Sequence, residues 1–159
     1  MSIKAKYILM TSLVAVVLLA DLITKAIFGD CEFFNVIPHL IDFETNYGND
    51  GVAFGLLSGK KWLLIILTLC LIAVMIFVDV KFKQKGKVYT IGFAFMLGGA
   101  IGNLVDRICF GYVRDFIKFA FMPSFPTFNI ADSFLCVGVV LICIHLLFLM
   151  PKNDGKKDI

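Results

Sequence analysis

The sequence predicts an all-α membrane protein of four transmembrane helices that carries a small extracytoplasmic β-element, in a single domain covering residues 1–159. Three observations predict it. Of the residues 60% are hydrophobic and only 17% charged, with a mean hydropathy of +0.92, too few polar groups to clothe a soluble domain of this size. Four apolar runs come close to the roughly 20 residues that cross a hydrocarbon core about 30 Å thick. The lysines gather at three places that a four-span chain leaves on one side of the bilayer.

The first run covers residues 7–28, after Lys4 and Lys6. A basic start before an apolar stretch also marks a signal peptide. This run, however, continues past Asp21 to Phe28, and no small-x-small cleavage site follows, so a retained helix is expected. Asp30 occupies the position before Cys31 where a lipidation site needs a small residue. The other runs cover residues 62–80, 88–105 and 134–150. Lys81, Lys83, Lys85 and Lys87 make the second connection basic, and Lys152, Lys156 and Lys157 mark the C-terminus. By the positive-inside rule both termini and that loop are cytoplasmic.

Residues 29–61 and 106–133 are then left outside. The first segment mixes apolar and polar residues at Ile37 to Phe43 and has a Gly-rich turn expected at Tyr47 to Gly51. The second alternates at Tyr112 to Lys118 and breaks at Pro123 and Pro126. Only the tail after Pro151 is expected to be disordered.

Composition also narrows the function. A net charge of +3 with no basic stripe interleaved with aromatics gives no support to nucleic-acid binding. None of the five cysteines forms a CxxC pair, His39 and His145 are far apart, and HExxH is absent, so a metalloprotease site is not expected. Cys70, Cys136 and Cys143 fall in apolar runs as small hydrophobes, and Cys31 and Cys109 are expected to stay unpaired. The 17 phenylalanines are expected in lipid contact and helix packing.

The informative residues are polar ones at the outer ends of the spans, where an ionisable group is costly. Run one brings Asp21, Thr24 and Lys25 there, run three brings Asn103, Asp106 and Arg107, and run four opens at Asn129, Asp132 and Ser133. Asp21 and Lys25, four apart, share a helix face and suit a buried ion pair that pins the helix. Asp106 suits an anchor or a supporting role, and Arg107 a lipid phosphate or a carboxylate. Asp132 reads equally as an N-cap and Asp115 as a solvated loop acid, against a paired site. If the two meet, they share one proton, so that one activates water while the other polarises a carbonyl. Gly98 and Gly102 form a small-xxx-small face for close helix approach. The rival is a small ion or proton transporter using Asp21, Asp106 and Asp132. A relay needs acids at several depths, and the cytoplasmic halves offer only Asp79.

Five ordered stretches carry a resemblance over essentially the whole chain: Asp21-Leu-Ile-Thr-Lys25, Asn49-Asp-Gly-Val-Ala-Phe-Gly55, Gly98-Gly-Ala-Ile-Gly-Asn-Leu-Val-Asp-Arg107, Gly111-Tyr-Val-Arg-Asp-Phe116 and Phe128-Asn-Ile-Ala-Asp-Ser133. Together they resemble the bacterial lipoprotein signal peptidase family, also called signal peptidase II. A near copy, Asn46-Tyr-Gly48, precedes the second stretch, and Asn49 is the register that puts Ala53-Phe54 at the family's spacing. The resemblance implies a cofactor-free membrane aspartic endopeptidase that removes signal peptides from prolipoproteins, cutting before a diacylglyceryl-modified cysteine. It implies Asp115 and Asp132 as the catalytic dyad and Asn49, Asn103 and Asn129 as amides that hold substrate or orient the acids. Arg107 and Gly99 match positions lining the cleft, and Asp21, Lys25 and Asp106 support the site. The implied fold is a four-helix bundle with an extracytoplasmic β-cradle. A monomer in the bacterial cytoplasmic membrane is expected, in contact with lipid and prolipoprotein substrates.

Overall fold

The computed structural model describes residues 1–30, 32–49, 51, 57–84 and 86–149, with backbone alone for 45–49. Among them, four helices are long and apolar enough to cross a membrane. Helix α1 is Ile3–Phe28, α2 is Lys61–Phe82, α3 is Lys87–Cys109, and α4 is Ile130–Ile144, prolonged by a π-helical turn over His145–Leu149. At 1.5 Å per residue, the 26 residues of α1 reach about 39 Å, enough to cross the hydrocarbon core with a tilt. The exposed apolar residues of α2, among them Leu67, Leu71, Val74 and Phe77, suit a lipid-facing surface.

Helix ends follow caps and backbone hydrogen bonds rather than hydropathy. The Ser2 hydroxyl accepts from the Ala5 amide at 3.2 Å and starts α1 ahead of the apolar run. Helix α2 stops at Lys83, in the left-handed region, whose amide donates to the Asp79 carbonyl at 3.0 Å. Helix α3 runs on to Cys109, taking Asp106 and Arg107 into its last turn. Helix α4 starts at Ile130, four residues before the expected 134, because Asn129 caps it.

Three strands form one antiparallel sheet in the order β1 (Phe34–Ile37), β2 (Ile41–Asn49), β3 (Val113–Phe119). The expected turn at Tyr47 to Gly51 differs from what is found: β2 continues through Asn49, paired to Val113 and bulged on either side of Asn46. Ladder pairing with β3 outweighs the local turn preference of Gly48. At Phe28, Phe43 and Phe116 the rings meet with centroids 4.7–5.7 Å apart, seating the sheet on the end of α1. The Phe128 carbonyl accepts from the Phe116 and Ile117 amides at 3.1 and 2.9 Å, and the Phe128 amide donates to the Ile117 carbonyl at 3.0 Å. This bridge ties β3 to the chain just before α4. Cys109 is free; Cys31 and the tail from residue 150 lie outside the described residues.

Helix α3 is the axis of the bundle. Over its most apolar window 61% is buried, against 22% or less in the other three. Glycine makes this possible, since it lets two neighbours approach the same helix. A Cβ on Gly98 would stand 2.8 Å from the Val17 side chain of α1, and one on Gly99 would stand 2.4 Å from the Ala131 carbonyl of α4. Gly102 lies against both neighbours, with Asp21 Oδ2 2.5 Å from its notional Cβ. The expected Gly98–Gly102 packing face is thus present, and it is extended by Gly99. At the end away from the sheet, Met10, Met75, Tyr89, Phe93 and Ala94 form an apolar core. Beside it Lys6 forms a buried ion pair with Asp79, and the His145 ring lies 5.4 Å from that of Tyr89.

Substituting Gly99→Ala forces α3 and α4 apart at a backbone carbonyl, which cannot rotate away as a side chain can. A loss of about 1–3 kcal/mol of stability is expected. Thermal unfolding of the purified chain in detergent measures it, and an unchanged Tm would contradict the close-approach account.

Candidate active site

The site lies where the sheet meets the ends of α1, α3 and the start of α4. Asp115 is on β3, and the Phe128 bridge brings it beside Asn129. Asn129 is extended (φ −135°, ψ −177°) and caps α4 through a capping box: its Oδ1 accepts from the Asp132 amide at 2.9 Å, while Asp132 Oδ2 accepts from the Asn129 amide at 3.3 Å. The N-cap is therefore Asn129, and Asp132 is the third helical residue, which corrects the N-cap reading of Asp132. Asp115 is 1% exposed, which corrects its reading as a solvated loop acid.

Two amides join the acids. Asn129 Nδ2 donates to Asp115 Oδ1 at 2.6 Å and to Asn103 Oδ1 at 3.1 Å. Asn103 Nδ2 donates to Asp132 Oδ1 at 2.7 Å, and Asn103 Oδ1 also accepts from Lys25 Nζ at 3.0 Å. Each amide therefore sends its nitrogen to a carboxylate, and for Asn103 the cation fixes that orientation. Asp132 is half-buried, which leaves it the better placed of the two acids to meet water.

Behind the amides is a buried charged layer. Lys25 Nζ lies 2.8 Å from Asp21 Oδ2 and 3.4 Å from Asp106 Oδ2, with all three side chains sealed from solvent. Asp21 Oδ1 accepts from the Ala131 amide at 2.9 Å, so an acid of α1 satisfies a free first-turn donor of α4. Asp106 accepts from Arg114 three times: from the backbone amide at 2.9 Å, Nε at 3.3 Å and Nη2 at 2.8 Å. Burial alone would push the Arg114 guanidinium down, but the hydrogen bond and charge of Asp106 outweigh it and hold the group above its ordinary value. Arg107 Nη2 donates to the Gly51 carbonyl at 3.1 Å and lies within electrostatic reach of Asp132 and Asp115.

Eight of the ten residues expected at the site therefore converge here: Asp21, Lys25, Asn103, Asp106, Arg107, Asp115, Asn129 and Asp132. Gly99 is close by, buried against Ala131 in the α3–α4 contact. Asn49 ends β2 with its backbone opposite Val113, while Asn46 is opposite Asp115; their side chains, Asp50 and residues 52–56 lie outside the described residues. Arg114 is the residue that sequence reasoning missed. An arginine one place before a strand acid carries no local signal, and only the fold brings Asp106 to it.

The arrangement offers acid–base chemistry without a side-chain nucleophile. Ser133 Oγ is held by the Asn129 carbonyl at 3.0 Å, and no group of three acids, histidines or cysteines gathers as a metal site among the described residues.

Comparison with known proteins shows the family. Residues 13–148 match the family model of signal peptidase (SPase) II. The chain belongs to the signal peptidase II family. A lipoprotein signal peptidase of Staphylococcus aureus is 40% identical, with 96% of each chain covered. One of Bacillus pumilus is 45% identical over 71% of this chain and 70% of its own. A bacterial membrane enzyme solved by the in meso method at 2.3 Å resolution superposes with a TM-score of 0.82 and 33% identity, covering 94% of this chain and 93% of that one. A second, solved at 1.9 Å, gives 0.78 and 34%, covering 89% and 94%. Membership in the signal peptidase II family makes the chain a multi-pass membrane peptidase and leaves the transporter reading without support.

Asn129 combines two duties that one substitution separates. Asn129→Ser keeps a side-chain cap for α4 but loses the amide nitrogen that reaches Asp115. Helix content and Tm are expected to stay close to wild type while peptidase activity falls by at least about tenfold, as for a lost orienting contact. Circular dichroism and a cleavage assay on the same preparation check both halves.

Proposed function

We propose that this chain is an aspartic endopeptidase that removes the signal peptide from prolipoproteins, cleaving before a diacylglyceryl-modified cysteine, with Asp115 and Asp132 as the catalytic dyad. The observation that carries the reading is Asn129, which hydrogen-bonds to both acids at once. An amide shared in this way holds the two carboxyls beside one another, as a mechanism with one proton between them requires.

In the proposed reaction the ionised carboxylate takes a proton from water as the oxygen attacks the scissile carbonyl carbon. The protonated carboxyl gives its proton to the carbonyl oxygen, forming a tetrahedral diol. As that intermediate collapses and the C–N bond breaks, the carboxyl protonated by water gives its proton to the departing amine and the other carboxylate takes one back from a diol hydroxyl, leaving one proton on the dyad. Asn103 and Asn129 keep the acids in place throughout, and Arg107 steadies negative charge beside them. The lipid-modified substrate enters sideways, its acyl chains staying in the bilayer while its peptide crosses the sheet-bearing end of the bundle. The lysines flanking the other end support, by the positive-inside rule, cytoplasmic termini and a site near the extracytoplasmic face. The chain works as a monomer in contact with membrane lipids.

Asp115→Asn and Asp132→Asn are each expected to reduce cleavage of a lipidated prolipoprotein peptide by about 10²–10⁴-fold or more, with a normal unfolding transition in detergent. Wild-type turnover in either variant would remove the dyad. The wild-type rate is expected to be bell-shaped in pH. It falls on the acid side as both carboxyls hold protons and on the alkaline side as the shared proton is lost.

A further inference from the structure

Arg114 is adjacent in sequence to a proposed catalytic acid, yet its side chain serves a different group. Its guanidinium and backbone amide take both oxygens of Asp106, its stem lies against Gly29 at the end of α1, and its head covers the Phe110 ring at 4.4 Å. Asp106 Oδ2 is also the more distant carboxylate contact of Lys25, at 3.4 Å against 2.8 Å for Asp21. Lys25 in turn donates to the oxygen of the Asn103 amide whose nitrogen holds Asp132.

We infer that Arg114 is a positioning residue for the dyad: by occupying Asp106 it leaves Lys25 on Asn103, and it supplies the positive charge that balances the buried cluster. The inference rests on the aspartic-dyad reading. Four carboxylates, Asp21, Asp106, Asp115 and Asp132, face three cations, Lys25, Arg107 and Arg114, and one shared proton makes the cluster neutral. Among the described residues the other charged groups nearby are engaged elsewhere or exposed, Asp42 of β2 accepting from Asn35 Nδ2 at 3.0 Å. Asp30 within electrostatic reach is exposed, Lys61 of α2 reaches the Ile108 carbonyl at 3.5 Å from an exposed position, and Glu44 and Lys118 pair with each other on the sheet surface at 2.6 Å.

Without Arg114 the cluster carries one excess negative charge beside the dyad. Two consequences follow. Asp106 draws Lys25 away from Asn103, loosening the amide that holds Asp132. The excess charge also favours proton binding by the dyad, so both limbs of the pH profile move to higher pH.

The test is a pH series with the purified full-length chain in detergent and a synthetic lipidated prolipoprotein peptide. Arg114→Gln is expected to lose about tenfold in kcat with KM little changed, a misplacement effect, and to shift the profile upward by about one pH unit, the scale of a neighbouring charge. Arg114→Lys keeps the charge and returns the profile to the wild-type position. Arg114→Gln combined with Asp106→Asn restores neutrality and also brings the profile back, whatever its residual rate. The inference is overturned if Arg114→Gln keeps the wild-type profile and loses activity only in step with its folded fraction, or if the double variant stays as displaced as the single. Should Arg114→Gln not fold, the Lys variant decides, since a displaced profile there contradicts the charge argument and an unmoved one supports it. Failure of the dyad itself reads out separately, as turnover in Asp115→Asn or Asp132→Asn.

Discussion

The ammonium of Lys25 lies sealed where α1, α3 and α4 meet, and the arrangement of the site depends on how it is neutralised. A lone buried charge is prohibitive, so a chain that keeps a lysine at this depth must bring partners to it. Asp21 comes from the same helix face, Asp106 and Asn103 from α3. Asp21 then has a second oxygen free for the first turn of α4. One cation thus ties α1 to α3, and through Asp21 to the first turn of α4. Removing one partner from a buried ion pair typically costs about 3–5 kcal/mol, because the remaining charge has no water to turn to.

The same constraint explains why glycine lines α3. An ammonium on α1 that reaches Asn103 and Asp106 on α3, with its partner Asp21 reaching the first turn of α4, requires backbones closer than ordinary side chains permit. The notional Cβ contacts of 2.4–2.8 Å at Gly98, Gly99 and Gly102 measure how close they come. Close packing and buried charge are one feature here: the glycines admit the ion network, and the network holds the glycine faces together. At the opposite end Lys6 and Asp79 repeat the device with a single pair between α1 and α2.

The proposed dyad stands at the boundary between that rigid layer and the sheet. Asp132 arrives on a helix whose first turn is capped twice, and Asp115 arrives on a strand stitched to the residue before the cap. Asn129 and Asn103 fill the space between with amides whose two ends are chemically distinct. They transmit the polarity of Lys25 to the acids without placing a full charge beside them. Preorganisation of this kind suits acid–base chemistry, because groups already in place need no reorganisation at the moment of reaction.

The four spans, and the gathering of polar residues at one end of them, were legible in residue order. Both follow from one-dimensional quantities: the length of an apolar run against the thickness of hydrocarbon, and the cost of a charge at a given depth. The Asp21–Lys25 pair was legible for the same reason, because four residues make one helical turn. What residue order could not supply were contacts across elements. Asn129 rather than Asp132 caps α4, because capping depends on the backbone angles at a single residue. Gly99 faces α4 while Gly98 faces α1, because a one-residue step rotates a helix face by about 100°. Arg114 finds Asp106 only because a glycine turn (Gly111, φ +92°) folds β3 back past the end of α3. The sequence by itself determined the four spans and the depth at which their acids gather. Only the tertiary structure decided which acid is joined to which amide and which cation, because hydrogen bonds select among neighbours over a few tenths of an ångström and hydropathy does not.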